Sequence, residues 1–271
     1  MLQLAVALAV ASAFLHASWN ILLKSSGDPL RLGARAMGAA VVIFTPIAVA
    51  LWLLTGRPWM PWQAWALAAI SGALNALYFH LLAAAYRRGQ LSSVYPMARG
   101  SAPLIAVLVG LFGFREHLSA GQAAGVAAVL LGIWLVRPPR GSRAAVLPAL
   151  ATGLAIAAYT SIDRAGVRLG PFWMYSWAEF AACALLLVPW RGPAPVTNAR
   201  LVGGLSVGAY SLVLAALALA PLAVIAPLRE SSVVLVALWG VFRLGEREGG
   251  VGLKLGGAAA VLAGLALLTV G

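Results

Sequence analysis

Ten stretches of this chain are long and apolar enough to form membrane-spanning helices. A spanning helix needs about 20 mostly apolar residues, because it must cross a hydrocarbon core about 30 Å thick. Short connections with Gly, Pro and charged residues separate the stretches and leave no room for a soluble domain. The chain is therefore predicted to be an all-α integral membrane protein. The ten predicted helices cover approximately residues 2–23, 33–54, 64–86, 91–113, 119–136, 144–162, 172–190, 199–219, 222–242 and 250–269.

The composition supports this class and argues against a nucleic-acid partner. Charged residues make up only 10% of the chain, whereas roughly 25% is usual in soluble domains. The net charge is +12, but the Lys and Arg residues are scattered between apolar runs and form no basic stripe. Cys183 is the only cysteine, which excludes a disulfide framework and a cysteine-based metal site. No metal or cofactor is predicted.

The flanking charges predict how the chain is oriented. Residues 2–23 lack a basic n-region and are longer than the apolar h-region of a signal sequence, so they are predicted to be a retained first helix. Of the 19 Lys and Arg residues, two lie within helices, 13 fall on one side, and the other side holds Arg57, Arg115, Arg164 and Arg168. Because Lys and Arg accumulate in cytoplasmic loops, both termini are expected outside the cytoplasm. The predicted location is the plasma or inner membrane, crossed many times.

The two halves of the chain resemble each other. A shift of 131 places residues 81–106 on residues 212–237, with eight identities that include Pro96 on Pro227. We interpret this as a duplicated five-helix unit, with halves at residues 1–138 and 143–271. Because five is odd, the second copy must cross the membrane in the opposite direction. Such inverted repeats are characteristic of secondary transporters.

Charged residues lie inside two predicted helices at equivalent positions. Arg99 and Glu230 each lie about eight residues, or about 12 Å, into a helix. A charge in the membrane centre costs about 3 kcal/mol, so the two side chains are expected to approach each other across the pseudo-two-fold axis. Arg229 points in another direction and is expected to have a different partner. One interpretation is a buried ion pair that only fixes packing. The prolines three residues earlier favour a cavity wall instead.

Glu179 is a third acidic residue within a predicted helix. A carboxyl group in the membrane is able to bind and release a proton during transport, and Glu230 is a second candidate for this role. The alternative is a structural glutamate that is hydrogen-bonded near the interface.

Polar and aromatic side chains occur at similar depths in several helices. Each of them alone is best explained by contacts between helices. Together they supply donors, acceptors and aromatic faces for one organic solute. Neither His16 nor His80 has a second ligand one helical turn away, which argues against a metal site. The set consists of His16, Trp19, Asn20, Asn75, Tyr78, His80, Tyr159, Thr160, Asp163, Tyr210 and Ser211.

Several segments together are typical of one family. They are "HASWNILLKSS", "YPMAR" and "PLRESS", together with Glu116 and Glu246, which open the last hairpin of each half. With these segments the chain resembles the EamA-like family of the drug/metabolite transporter superfamily. The resemblance implies ten helices in two inverted halves, export or exchange of small metabolites, and a cavity formed by the first, third, fourth, sixth, eighth and ninth helices. The matching positions here are Trp19, Asn20, Tyr78, Tyr95, Arg99, Tyr159, Tyr210, Arg229, Glu230 and Ser231.

These observations predict a secondary transporter that works by alternating access. It would export or exchange a small polar organic metabolite such as an amino acid, with the lipid bilayer as its surroundings. The alternatives are an intramembrane enzyme and a non-transporting structural subunit. The sequence contains no H-E-x-x-H or G-x-S-x-G motif, which disfavours the enzyme. Faces of small residues in the fifth and tenth helices suit tight helix packing or a homodimer interface.

Overall fold

The computed structural model describes residues 1–24, 26, 28–88, 91–136, 143–192, 196–230, 232 and 251–270. Within these ranges the side chains of residues 21, 24, 85–88, 91–99, 136, 143–145, 196–197, 230 and 269–270 are left undescribed. All regular structure in the described ranges is helical. The helices are α1 (Leu2–Lys24), α2 (Pro29–Leu54), α3 (Trp62–Arg88), α4 (Leu91–Leu108), α5 (Ala120–Val136), α6 (Arg143–Gly166), α7 (Phe172–Leu186), α8 (Val196–Leu219), α9 (Leu222–Glu230) and α10 (Val251–Val270).

The chain is a multi-pass membrane protein. Within the described residues, six helices are long and apolar enough to cross a bilayer, namely α1, α2, α3, α6, α8 and α10. Two shorter apolar helices cover Gly100–Gly113 and Ala120–Leu135. Many large apolar side chains are exposed, among them Phe14, Val42 and Leu131. Such a surface is stable when lipid tails rather than water surround it.

The predicted helix boundaries differ from the observed ones where local chemistry sets the ends. Helix α2 begins at Pro29 rather than at residue 33, because the Asp28 carboxylate accepts a hydrogen bond from the Arg31 N–H (3.1 Å) and proline suits the first helical position. The predicted helix 172–190 is too long. Helix α7 ends at Leu186, and a 3-10 turn, Val188–Trp190, follows it. Pro189 cannot continue an α-helix because it has no N–H.

Prolines inside other helices do not interrupt them. Helix α4 continues through Pro96, and α9 continues through Pro227 as far as it is described. A π-helical turn, Val109–Gly113, extends α4. Of the predicted ninth helix, 222–242, the structure describes residues 222–230 and 232. The rest of this prediction lies outside the described residues.

The most extensive packing joins helices that are distant in sequence. Helix α5 packs along α10, α3 along α6, and α1 along α8. Glycine is essential where α5 meets α10: a Cβ on Gly125 would lie 2.9 Å from the Gly264 carbonyl oxygen, and a Cβ on Gly264 would lie 2.6 Å from the Gly125 carbonyl oxygen. The small-residue faces of these two helices thus contact each other within one chain.

Candidate functional site

A buried guanidinium lies near the centre of the helix bundle. Arg229, on α9, is only 2% exposed. Its Nη1 donates to Thr160 Oγ1 (3.0 Å), and its Nη2 donates to the Tyr159 hydroxyl (2.6 Å). The guanidinium carbon also lies 5.3 Å from the ring centroid of Tyr159 and 5.2 Å from that of Tyr210. Hydrogen bonds and aromatic faces therefore offset much of the cost of placing this charge in the membrane.

Arg229 lines a small internal cavity. The cavity has a volume of about 30 Å³, which is enough for about one or two water molecules but not for an organic solute. Aromatic rings form much of its wall: the ring centroid of Tyr159 lies 6.4 Å from that of Tyr78 and 6.0 Å from that of Tyr210. The remaining lining comes from α1, α2, α3, α7 and α8. The full lining is His16, Trp19, Met37, Asn75, Tyr78, Phe79, Tyr159, Phe180, Ser206, Tyr210 and Arg229.

Asp163 lies behind this wall and accepts three hydrogen bonds. Its side chain is fully buried near the end of α6. Oδ1 accepts hydrogen bonds from Ser71 and from the Tyr175 hydroxyl (3.0 Å), and Oδ2 accepts one from the Tyr210 hydroxyl. The donors come from α3, α7 and α8, so this carboxylate ties four helices together.

Glu179, one turn beyond Tyr175 on α7, is also fully buried. Its Oε1 accepts a hydrogen bond from Asn75 Nδ2 (3.2 Å). Its Oε2 is buried and has no hydrogen-bond partner among the described residues. A buried polar atom of this kind is unusual, because leaving it unpaired costs about 1–3 kcal/mol.

Two side chains connect the carboxyl groups to the cavity. Tyr210 presents its ring to Arg229, and its hydroxyl donates a hydrogen bond to Asp163. Asn75 lines the cavity and bonds to Glu179. Each carboxyl group therefore contacts a side chain that lines the cavity, so a change in its charge acts on the lining directly.

An ion pair that is largely shielded from solvent lies at one end of the bundle. The carboxylate of Glu116, in the connection between α4 and α5, accepts a hydrogen bond from Arg164 Nε (3.1 Å). It also accepts hydrogen bonds from the backbone N–H groups of Leu222 (2.8 Å) and Ala223 (2.9 Å), the first residues of α9. Arg164 Nη1 donates in turn to the Leu217 carbonyl oxygen of α8. We call this arrangement the Glu116–Arg164 tie.

The tie depends on a close approach at the π-helical turn. A Cβ added to Gly110 would lie 2.6 Å from Glu116 Oε2 and 3.0 Å from the Ala223 backbone nitrogen. The carboxylate also suits the start of α9 electrostatically, since the N-terminus of a helix carries a partial positive charge.

The structure brings five of the predicted site residues together around the cavity: Trp19, Tyr78, Tyr159, Tyr210 and Arg229. Asn20 is not part of the lining, because its amide donates to the His16 carbonyl oxygen of its own helix (2.7 Å). The side chains of Tyr95, Arg99, Glu230 and Ser231 lie outside the described residues, so the pairing of Arg99 with Glu230 stays a prediction.

Other lining residues were not singled out from the sequence. Met37, Phe79, Phe180 and Ser206 are ordinary residues for apolar helices, and no sequence signal distinguishes them. Asp163, behind the lining, does carry a sequence signal, because an acidic residue within a membrane helix indicates a functional site. Its three donors lie on other helices, and the sequence does not identify them.

Comparisons with known proteins give a family and a fold. The model of the EamA-like transporter family matches residues 3–137, which confirms the resemblance found in the sequence. A crystal structure of another protein superimposes with a TM-score of 0.73, covering 98% of both chains at 18% sequence identity. At that identity the likeness concerns the fold alone. No curated protein matches the sequence.

Proposed function

Because the chain belongs to the EamA-like transporter family, we propose that it is a secondary transporter that exports or exchanges a small polar organic metabolite such as an amino acid. The single observation that carries this proposal is the buried cavity at Arg229, inside a membrane protein and lined by aromatic and polar side chains. A structural subunit has no need of a buried guanidinium facing a cavity. The chain is proposed to act in the plasma membrane.

The lining indicates the solute's chemistry. A guanidinium binds a carboxylate well because its planar N–H groups match the two oxygens. The rings of Tyr78, Tyr159 and Tyr210 provide faces for an apolar or cationic part of the same molecule. The hydroxyl of Ser206 and the amide of Asn75 add hydrogen-bonding groups for orientation. A zwitterion with a short side chain fits this combination.

The small cavity implies a closed conformation within a transport cycle. A volume of about 30 Å³ must expand severalfold before a metabolite enters. The contacts between helices support two inverted halves as the moving parts. If each helix of the first half is exchanged with the helix five places later, the pair α1–α8 becomes α6–α3 and the pair α2–α8 becomes α7–α3. All four pairs are among the extensive contacts.

The Glu116–Arg164 tie is proposed to hold one end of the cavity closed. Arg229 follows Leu222 by seven residues, so its Cα lies about 10 Å along α9 from the start of the helix, where the tie is anchored. The tie connects the loop after α4 to α6, α8 and α9, and therefore crosses between the halves. The Lys and Arg count predicts that this end faces away from the cytoplasm. Opening towards that side then requires breaking the tie.

Glu179 is the proposed proton-binding group. It is buried beside the cavity, and Oε2 has no described partner that would favour one protonation state by hydrogen bonding. Asn75 donates to Glu179 and lines the cavity, so a proton bound to Glu179 would change this hydrogen bond and thereby the lining. Glu230 remains a second candidate.

Transport by purified protein in liposomes tests the proposal. Vesicles loaded with labelled amino acids, nucleosides or sugars should show protein-dependent efflux of one class. Arg229→Lys keeps the charge but loses the guanidinium geometry, so efflux should fall at least about tenfold. Arg168→Lys, an exposed site at the end of the bundle, serves as the matched control and should transport normally. Equal efflux from both variants would exclude the Arg229 cavity as the solute site.

Thiol labelling tests whether the Glu116–Arg164 tie keeps one end of the Arg229 cavity closed. In a Cys183→Ser background, Ser206→Cys places a reactive group in the cavity lining. Glu116→Gln should then accelerate its labelling by an impermeant reagent applied from the non-cytoplasmic side. Asp28→Asn, an exposed acid that pairs only with Arg31 in the described structure, is the control. Unchanged labelling in Glu116→Gln would show that the tie does not close the cavity.

A further inference from the structure

A second, larger cavity opens on the surface between α2, α7 and α8. It has a volume of about 700 Å³, within the range of ligand-binding pockets. Three arginines line it, Arg35, Arg191 and Arg200, and none of the described lining residues is acidic. We call it the basic groove. It is separate from the Arg229 cavity, with which it shares no lining residue.

The arginines lie at one end of the groove. Arg35 is in the second turn of α2, Arg200 is in the second turn of α8, and Arg191 follows the 3-10 turn after α7. These positions correspond to a single end of the bundle, the end that the Lys and Arg count places in the cytoplasm.

Arg191 is held in place across two helices. Its Nη2 donates to the Ala184 carbonyl oxygen in the last turn of α7 (3.0 Å). The guanidinium also lies against Gly38 of α2, where a Cβ would come within 3.0 Å of Nη2. A side chain at position 38 would therefore push Arg191 away, whereas glycine lets the charge lie at the mouth of the groove.

The rest of the groove is apolar and extends towards the membrane centre. Val42 is seven residues beyond Arg35, about 10 Å deeper along α2. Val42 is 74% exposed and Leu185, on the opposite wall, is 71% exposed. Charge at the mouth with apolar side chains below it matches a molecule that has an anionic head and hydrocarbon chains.

We propose that the basic groove binds an anionic glycerophospholipid, with its phosphate at the arginines and its acyl chains along the apolar wall. A zwitterionic lipid is disfavoured because its cationic head would meet the guanidinium groups. A second copy of this chain is also disfavoured. Among the acidic residues whose side chains are described, Asp28 and Glu116 are ion-paired and Asp163 and Glu179 are fully buried, so they offer the groove no counter-charge.

Native mass spectrometry of the detergent-solubilised protein tests this proposal. Phosphatidylglycerol and phosphatidylcholine with identical acyl chains, and the soluble head group sn-glycerol 3-phosphate, are titrated in parallel. Each arginine near an anionic head group strengthens binding about fivefold. We expect phosphatidylglycerol to bind at least about tenfold more tightly than phosphatidylcholine, and glycerol phosphate to bind much more weakly than phosphatidylglycerol.

A charge-matched pair of double variants locates the site. Arg35→Gln/Arg200→Gln should weaken phosphatidylglycerol binding by about twentyfold. Arg57→Gln/Arg168→Gln removes two exposed charges at the opposite end and should leave binding unchanged. Equal weakening in the two double variants would overturn the proposal in favour of a general surface charge effect. Equal binding of the two lipids to the unmodified protein, or binding of glycerol phosphate as tight as that of phosphatidylglycerol, would also overturn it without depending on any variant.

Discussion

Asp163 and Glu179 are both fully buried carboxyl groups beside the same cavity, but their surroundings differ. Asp163 accepts hydrogen bonds from Ser71, Tyr175 and Tyr210, and both of its oxygens are satisfied. Glu179 accepts one hydrogen bond, from Asn75, and its second oxygen has no described partner. The two carboxyl groups are equally buried, but their different hydrogen bonding indicates different roles.

The difference separates a structural carboxylate from an exchangeable one. Three donors stabilise the charged form of Asp163 and connect α3, α6, α7 and α8, so losing it should damage the fold. Glu179 contributes little that a neutral amide could not replace, so losing its charge should affect function more than stability. Substitutions at the two sites make this distinction measurable.

Asp163→Ala should produce the largest loss of stability. It leaves three buried hydroxyl groups without their acceptor, and each unsatisfied group costs about 1–3 kcal/mol. We expect the free energy of unfolding in detergent to fall by at least about 3 kcal/mol. Asp28→Ala, which removes an exposed carboxylate, is the control and should cost about 1 kcal/mol. Similar losses in the two variants would contradict the structural role of Asp163.

Tyr175→Phe should have an intermediate effect. It removes one of the three donors to Asp163 while keeping the buried ring, and a hydrogen bond to a charged group is worth about 1.5–3 kcal/mol. Denaturation should therefore show a loss of about 2 kcal/mol. A loss near zero would mean that this hydrogen bond does not stabilise the protein, and a loss as large as that of Asp163→Ala would contradict a contribution shared among three donors.

Glu179→Gln should have the smallest effect on stability. The amide oxygen still accepts from Asn75 and no buried charge remains, so the free energy of unfolding should stay within about 1 kcal/mol of the wild-type value. Efflux from liposomes should lose its dependence on an imposed pH gradient. If the gradient still drives efflux in this variant, Glu179 is not the proton-binding group.

Helix positions were largely predictable from the sequence. Helix α1 was expected at residues 2–23 and covers Leu2–Lys24, and α10 was expected at 250–269 and covers Val251–Val270. Long apolar runs set these ends, and no tertiary information is needed to find them. The early start of α2 is also encoded in the sequence, by Asp28 and Pro29, but these are capping signals that hydropathy alone does not reveal.

The site was less predictable because its contacts join distant segments. Arg229 meets Tyr159 across 70 residues, and Glu116 meets the start of α9 across more than 100. Only the helix packing decides which polar side chains face each other. Asn20 illustrates the limit: its spacing from His16 placed both on one helix face, yet its amide satisfies a carbonyl of its own helix.

Thermal stability of the purified protein across a panel of amino acids, nucleosides, sugars and organic cations tests the central claim most directly. A solute at a hundredfold excess over its Kd stabilises the protein by about 2.7 kcal/mol. The account predicts that one class carrying a carboxylate raises the melting temperature, and that Arg229→Lys abolishes the shift while Arg168→Lys retains it. A stabilising solute whose effect persists in Arg229→Lys would contradict the assignment of the cavity as the binding site.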